Sequence, residues 1–356
     1  MCGLVLLTTA TAAIAGGSIP ASATTSRVVT SRAVISRPKC NANNAAGPIT
    51  YVSPFGFDAS AGIIDVFAAA KLGYFADLCL KVNFVTNAFD NNELVSSGKA
   101  QITNEGSAAD TLQAIAAGAH IVGIETSGDT SDYALLTEQS ITNLKQLEGK
   151  TLGYHSSVPV EIAEILHAAG VEISKVKLVS DNNYDPLQLI QGEVNGLQAY
   201  QSNEVLTLKA AHEPFNEWTP AQFHISGTYN VMVANATFLH QHRQTVADFM
   251  RADLRAVDFC LVHGPRCVSI EGTYAAAAGS LFQVAHEKAV WGLESAFTKN
   301  HSLPGKGIGV QTAAEWTPEA RALKSYGVVK QVPPLSTAED TSLVASLYNG
   351  TKLIWP

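Results

Sequence analysis

The order of apolar and polar positions predicts an alternating α/β chain. Residues 49–54, closed by Pro54 and Gly56, form a strand pattern, and 59–72 have helical spacing with Gly73 as their stop. A strand at 81–85, a short helix at 91–97 and a strand at 100–103 follow, before Ser107 caps a helix over 108–117 that ends at Gly118. Residues 120–125 have the composition of a buried strand. Such alternation predicts a mainly parallel, doubly wound sheet with helices on both faces.

A second series starts at Gly149-Lys150, with strands predicted at 150–154, 177–179 and 196–200 and helices at 159–169 and 186–192. An apolar run at 231–234 then gives way to long helical patterns at 244–262, 274–297 and 318–325. Helices without strands of their own cannot hide their apolar stripes, so this tail is expected to return to the first series. The expected organisation is two α/β lobes, each a doubly wound mainly parallel sheet flanked by helices: 138–230 as lobe 2, and 47–137 with 231–356 as lobe 1.

In lobe 2, residues 152–161 stand out. A strand ending at Tyr154 runs into small hydroxyl residues, with Pro159 and Glu161 placed as in a first helical turn, and the free N–H groups of such a turn suit a polar ligand. Doubly wound sheets bind ligands beyond the carboxyl ends of their strands, which here are the loops 55–60, 104–107, 154–157 and 200–204. Those loops carry Phe55 and the candidate ligand-binding set Phe57, Asp58, Asn104, Glu105, Tyr154, His155, Ser156, Ser157, Tyr200, Asn203 and Glu204. None of the four contains Lys or Arg, which disfavours an anion gripped by guanidinium and favours a flat heteroaromatic or amine-bearing solute. Phe57, Tyr154 and Tyr200 are expected to sandwich it, and Asp58, Glu105 and Glu204 to accept its hydrogen bonds.

Charge and cysteines narrow the picture. With 23 Lys+Arg against 31 Asp+Glu, the chain lacks the basic excess that a nucleic-acid partner requires. The apolar run at 4–16, followed by Ala21-Ser22-Ala23, reads as a signal peptide over 1–23, and 24–46 as a flexible linker. The mature protein is therefore expected outside the cytoplasm (secreted, periplasmic or at the cell surface), soluble or tethered at its N-terminus. Export makes disulfides plausible: Cys260 with Cys267 across the Gly264-Pro265 turn, and more weakly Cys40 with Cys79. Cys40 also has a reading as a lipidated anchor, which the preceding Arg37, Pro38 and Lys39 disfavour. No catalytic residue, metal or cofactor is expected. His155 beside Ser156 lacks a nucleophile elbow, His240 and His242 point apart on a helix, and the oxygen-rich segment 181–185 lacks the Gly and distal Glu of a calcium loop.

Several motifs carry a resemblance. Ala68-Ala69-Ala70-Lys71-Leu72-Gly73-Tyr74-Phe75, Leu144-Lys145-Gln146-Leu147-Glu148-Gly149-Lys150-Thr151-Leu152-Gly153, and Gly192-Glu193-Val194-Asn195-Gly196 followed by Tyr200-Gln201-Ser202-Asn203-Glu204 occur in this order. Over roughly 49–334 the chain resembles the periplasmic solute-binding proteins of ABC transporters, in the family that includes alkanesulfonate-, taurine- and thiamine-precursor-binding proteins. It departs from the pattern at Cys79, where Gly is common, and at Asn195, where Asp is usual. The resemblance implies a type II two-lobe fold, a small-molecule ligand in the cleft, permease subunits of an ABC importer as partners, and a monomer. A pyrimidine, thiamine-precursor-like or amine-bearing ligand fits the loops best. Alternatives are a sulfonate, taurine or nitrate anion and, further off, a pyridoxal-dependent thiamine-precursor synthase, whose clustered cysteines this chain lacks.

Overall fold

A computed structural model describes residues 34–86, 90–155, 157–180 and 185–356; the expected signal peptide, the first ten residues of the expected linker (24–33), Ser156 and 181–184 lie outside the described residues. Ten strands build two sheets: β1 (Ile49–Ser53), β2 (Val82–Thr86), β3 (Ile102–Glu105), β4 (Ile121–Gly128), β5 (Tyr133–Glu138), β6 (Thr151–Tyr154), β7 (Lys177–Ser180), β8 (Gly196–Tyr200), β9 (Phe215–Trp218) and β10 (Tyr229–Asn235). The sheet orders are β2-β1-β3-β10-β4 and β7-β6-β8-β5-β9. The two sheets share one plan, a parallel trio joined to a fifth strand through a reversed one.

The reversed strands are the two that enter from the other lobe. A strand arriving directly from the neighbouring lobe has no crossover helix to turn it round, so β5 and β10 run against the expected parallel direction. Because β5 belongs to the second sheet, the first crossing falls at 129–132, ahead of the expected 138, and the return is complete by Tyr229. Neither β5 nor β9 was predicted as a strand.

Around the sheets lie α1 (Arg37–Ala46), α2 (Ile64–Leu72), α3 (Tyr74–Asp77), α4 (Asn91–Ser96), α5 (Ala108–Ala116), α6 (Val160–Ala168), α7 (Leu187–Ile190), α8 (Glu204–Ala210), α9 (Ala236–Gln241), α10 (Arg243–Ala278), α11 (Val284–Asn300) and α12 (Ala313–Ser325). Four apolar cores result. In lobe 1 one gathers Ile49, Phe75, Phe249 and Trp291 with their neighbours and the other gathers Val52, Leu112, Val233 and Trp316; lobe 2 has one around Leu152 and Ile165 and one around Leu136 and Leu197. The tail packs back as expected, α10 against α2 and α12 against α5.

The linker expectation fails at its end. Residues 37–46 form α1, held by the Cys40–Cys79 disulfide (Cα–Cα 5.3 Å) and by buried Asn43, whose Nδ2 donates to the Leu78 carbonyl at 2.8 Å and to Asp248 at 2.9 Å. Cys79 sits at φ 57°, a left-handed backbone that glycine adopts more readily, at the position where the family pattern has Gly. Asn195 also has a reason: its Oδ1 accepts from Thr151 N at 3.1 Å while its Nδ2 donates to Glu138 at 3.3 Å, and an Asp has no donor for the second contact.

Cys260 and Cys267 are bonded, though across a kink inside α10 and not a turn between helices. His263 leaves helical geometry there, since Pro265 has no N–H and its ring collides with the carbonyl four residues back. The freed carbonyls find other donors, Lys299 Nζ at 3.1 Å for Leu261 and Trp291 Nε1 at 3.1 Å for Cys260. The helix expected over 274–297 is interrupted by Gly279, at φ 69°.

Candidate functional site

The strand ends of the two lobes face a cleft with two adjoining chambers. The outer one, about 440 Å³, is lined from lobe 1 by Phe55, Asn104, Glu105 and Asp110 and from lobe 2 by Tyr133, His155, Ser157, Gln198 and Tyr200. The inner one, about 50 Å³, shares Phe55, Asn104, Glu105 and Tyr200 and adds Asp58, Asp132, Ser202, Asn203, Asn230 and Glu294. Gly106 lies where both meet, and a Cβ there would come within 2.8 Å of Asp110 Oδ2 and 2.9 Å of Tyr133 Oη.

The aromatic wall differs from the one expected. Tyr200 stacks on Tyr133 at 4.9 Å between centroids and meets the edge of Phe55 at 5.7 Å, and the Tyr133 hydroxyl donates to Asp110 at 2.7 Å. Phe57 packs on Phe67 at 5.3 Å, and Tyr154 is half-buried and lines neither chamber. Phe57 stays out of that wall: it is half-buried and, with Phe55, Asp58 and Asn203, lines a third space between the 55–58 loop, α8 and α11.

The loop that carries Asp58 is braced from the tail. Glu287 and Glu294 on α11 accept from the backbone N–H groups of Ala59 (2.9 Å) and Ala61 (2.6 Å), which also explains why the helix expected from 59 begins only at Ile64. Around the cleft the carboxyl groups are held toward their protonated forms. Burial pushes Glu105 up to about 8, with the Asp110 charge adding and the Asn92 and Asn91 amides opposing. Asp58 lies well above the usual carboxylate range through burial and then the charges of Glu287, Glu204 and Asp132. Burial likewise raises Asp132, although Ser202 Oγ donates to its Oδ2 at 2.5 Å. No Lys or Arg lines either chamber among the described residues.

Other expected residues have structural work. Glu204 is fully buried, lines neither chamber, and accepts from Tyr200 N at 2.7 Å, fixing the β8–α8 turn. Asn203 Oδ1 meets a ring nitrogen of His286 at 2.9 Å, a tie between α8 and α11. His155 is buried and donates its backbone N–H to Gln198 Oε1 at 3.1 Å. The helix start at α6 has Pro159 at its cap and no side-chain cap, and Glu161 turns inward toward Glu319 of α12, a buried carboxyl pair that holds Glu161 well above its ordinary value. Sequence reasoning missed Asp132, Tyr133, Asn230 and Glu294. Asp132 and Tyr133 lie at the lobe crossing, a position with a topological signal, whereas Glu294 sits mid-helix in the tail with no local one.

Two mixed α/β sheets whose strand ends enclose a cleft, joined by two crossings, constitute the two-lobe periplasmic-binding-protein fold, and solved structures of that fold superpose on the chain. The ligand-binding component of an ABC-type import system from Staphylococcus aureus, with zinc bound, aligns at TM-score 0.63 and 11% identity over 83% of this chain and 97% of that one. The periplasmic aliphatic sulphonate binding protein SsuA from Escherichia coli aligns at TM-score 0.58 and 12% identity over 87% and 94%. The desulfurization enzyme DSZB aligns at TM-score 0.54 and 10% identity over 84% and 98%. No curated protein sequence matches the chain significantly. The NMT1/THI5-like family model matches residues 60–265, more than half of the 356 residues, and the chain belongs to that family.

Proposed function

We propose that this protein is the extracytoplasmic solute-binding component of an ABC importer, capturing a small, flat, nitrogen-bearing solute between its lobes and releasing it unchanged to the permease. The observation that carries the reading is the cleft itself: aromatic rings from both lobes (Phe55, Tyr133, Tyr200) beside buried carboxyl groups, with no Lys or Arg on the lining among the described residues. Rings stack on flat ligands, and carboxyl groups accept from amino groups. Family membership supports capture, and two disulfides support an oxidising compartment. Pyrimidine-like and amine-bearing ligands suit this lining better than a sulfonate, which needs cationic or convergent N–H donors. For catalysis by a thiol, every cysteine among the described residues is already bonded.

A thermal-shift screen of the purified protein against aminopyrimidines, amines and sulfonates, followed by calorimetry, tests this. The expected result is stabilisation by a nitrogen-bearing ring, recovered unmodified, and loss of binding in Tyr200→Ala. Preference for sulfonates would overturn the ligand class; turnover of the ligand would overturn the capture role.

A further inference from the structure

The inner chamber brings together carboxyl groups from four separate segments: Asp58 from the loop after β1, Glu105 from the end of β3, Asp132 from the β4–β5 crossing, and Glu294 from α11. Asp132 is 7% exposed and Asn104 3%, yet Asp132 Oδ1, Asn104 Oδ1 and Asp58 Oδ1 all lack a hydrogen-bond partner among the described residues. All three atoms belong to residues that line the chamber, and with the two carboxyl groups ionised all three are acceptors. Buried polar atoms are normally satisfied, so the chamber is built for a compact group that brings several donors at once.

We propose that the inner chamber receives the ammonium or amidinium end of a small organic cation whose ring lies in the outer chamber against Phe55 and Tyr200. This rests on the capture reading above and adds the charge and the orientation of the solute. An ammonium carries three donors and no acceptor, which matches three open acceptors and leaves no donor stranded. At about 50 Å³ the chamber exceeds the ~10–15 Å³ that one water needs, room for such a head group. A buried cation must be paired, and the acidic groups facing Asp58 and Asp132 come from every packed side: Glu204 on α8, Glu217 on β9, Glu271 on α10, Glu287 and Glu294 on α11. A divalent metal is a poorer occupant, since no three His, Cys, Asp or Glu side chains among the described residues converge with ligating geometry.

The charge adds a signature that simple stacking lacks. In the empty chamber, burial and mutual repulsion favour protonated carboxyl groups, and an entering cation reverses that preference. Binding therefore releases a proton to solvent, and affinity rises with pH.

Titration calorimetry on the disulfide-intact chain tests this with two matched pairs, benzamidine against benzamide and tyramine against 4-ethylphenol, in buffers of different ionisation enthalpy. We expect at least one cation to bind about tenfold or more tighter than its neutral partner, with roughly one proton released and affinity higher at pH ~8 than at pH ~6. In Asp132→Asn, and separately in Asp58→Asn, the cation-to-neutral ratio should fall toward one while thermal midpoints confirm folding. Equal binding within both pairs, or an unchanged ratio in both variants, overturns the proposal. If a neutral partner binds and Tyr200→Ala abolishes that binding, capture in the cleft stands and only the cation assignment falls. If none of the four binds, the cation assignment also falls, and the wider screen decides capture.

Discussion

Glu204 offers a direct measurement of how burial governs this acidic interior. Its side chain is fully buried at the start of α8, with the Tyr200 N–H on Oε2 at 2.7 Å and a longer contact from Asn203 Nδ2 at 3.5 Å on Oε1. Burial outweighs these donors and pushes the carboxyl from 4.5 up to about 7. A group that holds its proton more tightly in the fold than in the unfolded chain contributes stability that is complete below pH ~4.5 and is lost as pH rises through about 7. At about 1.4 kcal/mol per pH unit, that loss amounts to roughly 3 kcal/mol. Glu204→Gln keeps the acceptor for Tyr200 N–H and removes the ionisation. The variant should therefore match wild type near pH 4.5 and exceed it by roughly 3 kcal/mol at pH 8. Urea unfolding of both ligand-free proteins across this range reads the difference, in which the other raised acids (Asp65, Glu105, Glu125 and Glu319, all displaced in the same direction) largely cancel. A stability gap that stays constant with pH would show that Glu204 ionises normally and that burial does not control it.

The remaining expectations concern binding and packing. With whichever ligand the screen finds, Phe55→Ala should lower affinity about tenfold or more by calorimetry, whereas Phe57→Ala and Tyr154→Ala stay within about twofold, because of these three rings only Phe55 lines the inner and outer chambers. Replacing Cys260 and Cys267 with Ala should cost about 2 kcal/mol in urea unfolding by freeing a short loop, and non-reducing peptide mapping should find the bond in wild type. Gly264→Ala should destabilise by about 1–3 kcal/mol, since its Cβ would fall 2.6 Å from Trp291 Cδ1. Trp316→Ala should cost about 3–5 kcal/mol, as the indole is fully buried against Gly123 and donates to Thr126 Oγ1 at 3.1 Å.

What the sequence by itself determined were features set by local physics. Apolar periodicity with Gly and Ser punctuation located β1, β3, β8, β10 and α5, and Ser107 does cap α5, its hydroxyl accepting from Asp110 N at 3.1 Å. The helix-rich tail announced its return to lobe 1 because its apolar stripes had no other cover. Strand ends likewise pointed to four loops that line the cleft, since doubly wound sheets open their crevice there. Tertiary structure decided everything that depends on direction across long separations. Strand polarity came from the lobe crossings, so β5 and β10 run backwards although nothing in their residues says so. Which of two nearby rings faces the cleft depended on the 54–63 loop, and that loop is shaped by Glu287 and Glu294, more than 220 residues away in sequence. The inner chamber is the clearest case: Asp132 and Glu294 each look like an ordinary surface acid in sequence, and only the fold buries them beside Asp58 around one space, where proximity and the loss of water give them a character no local pattern encodes.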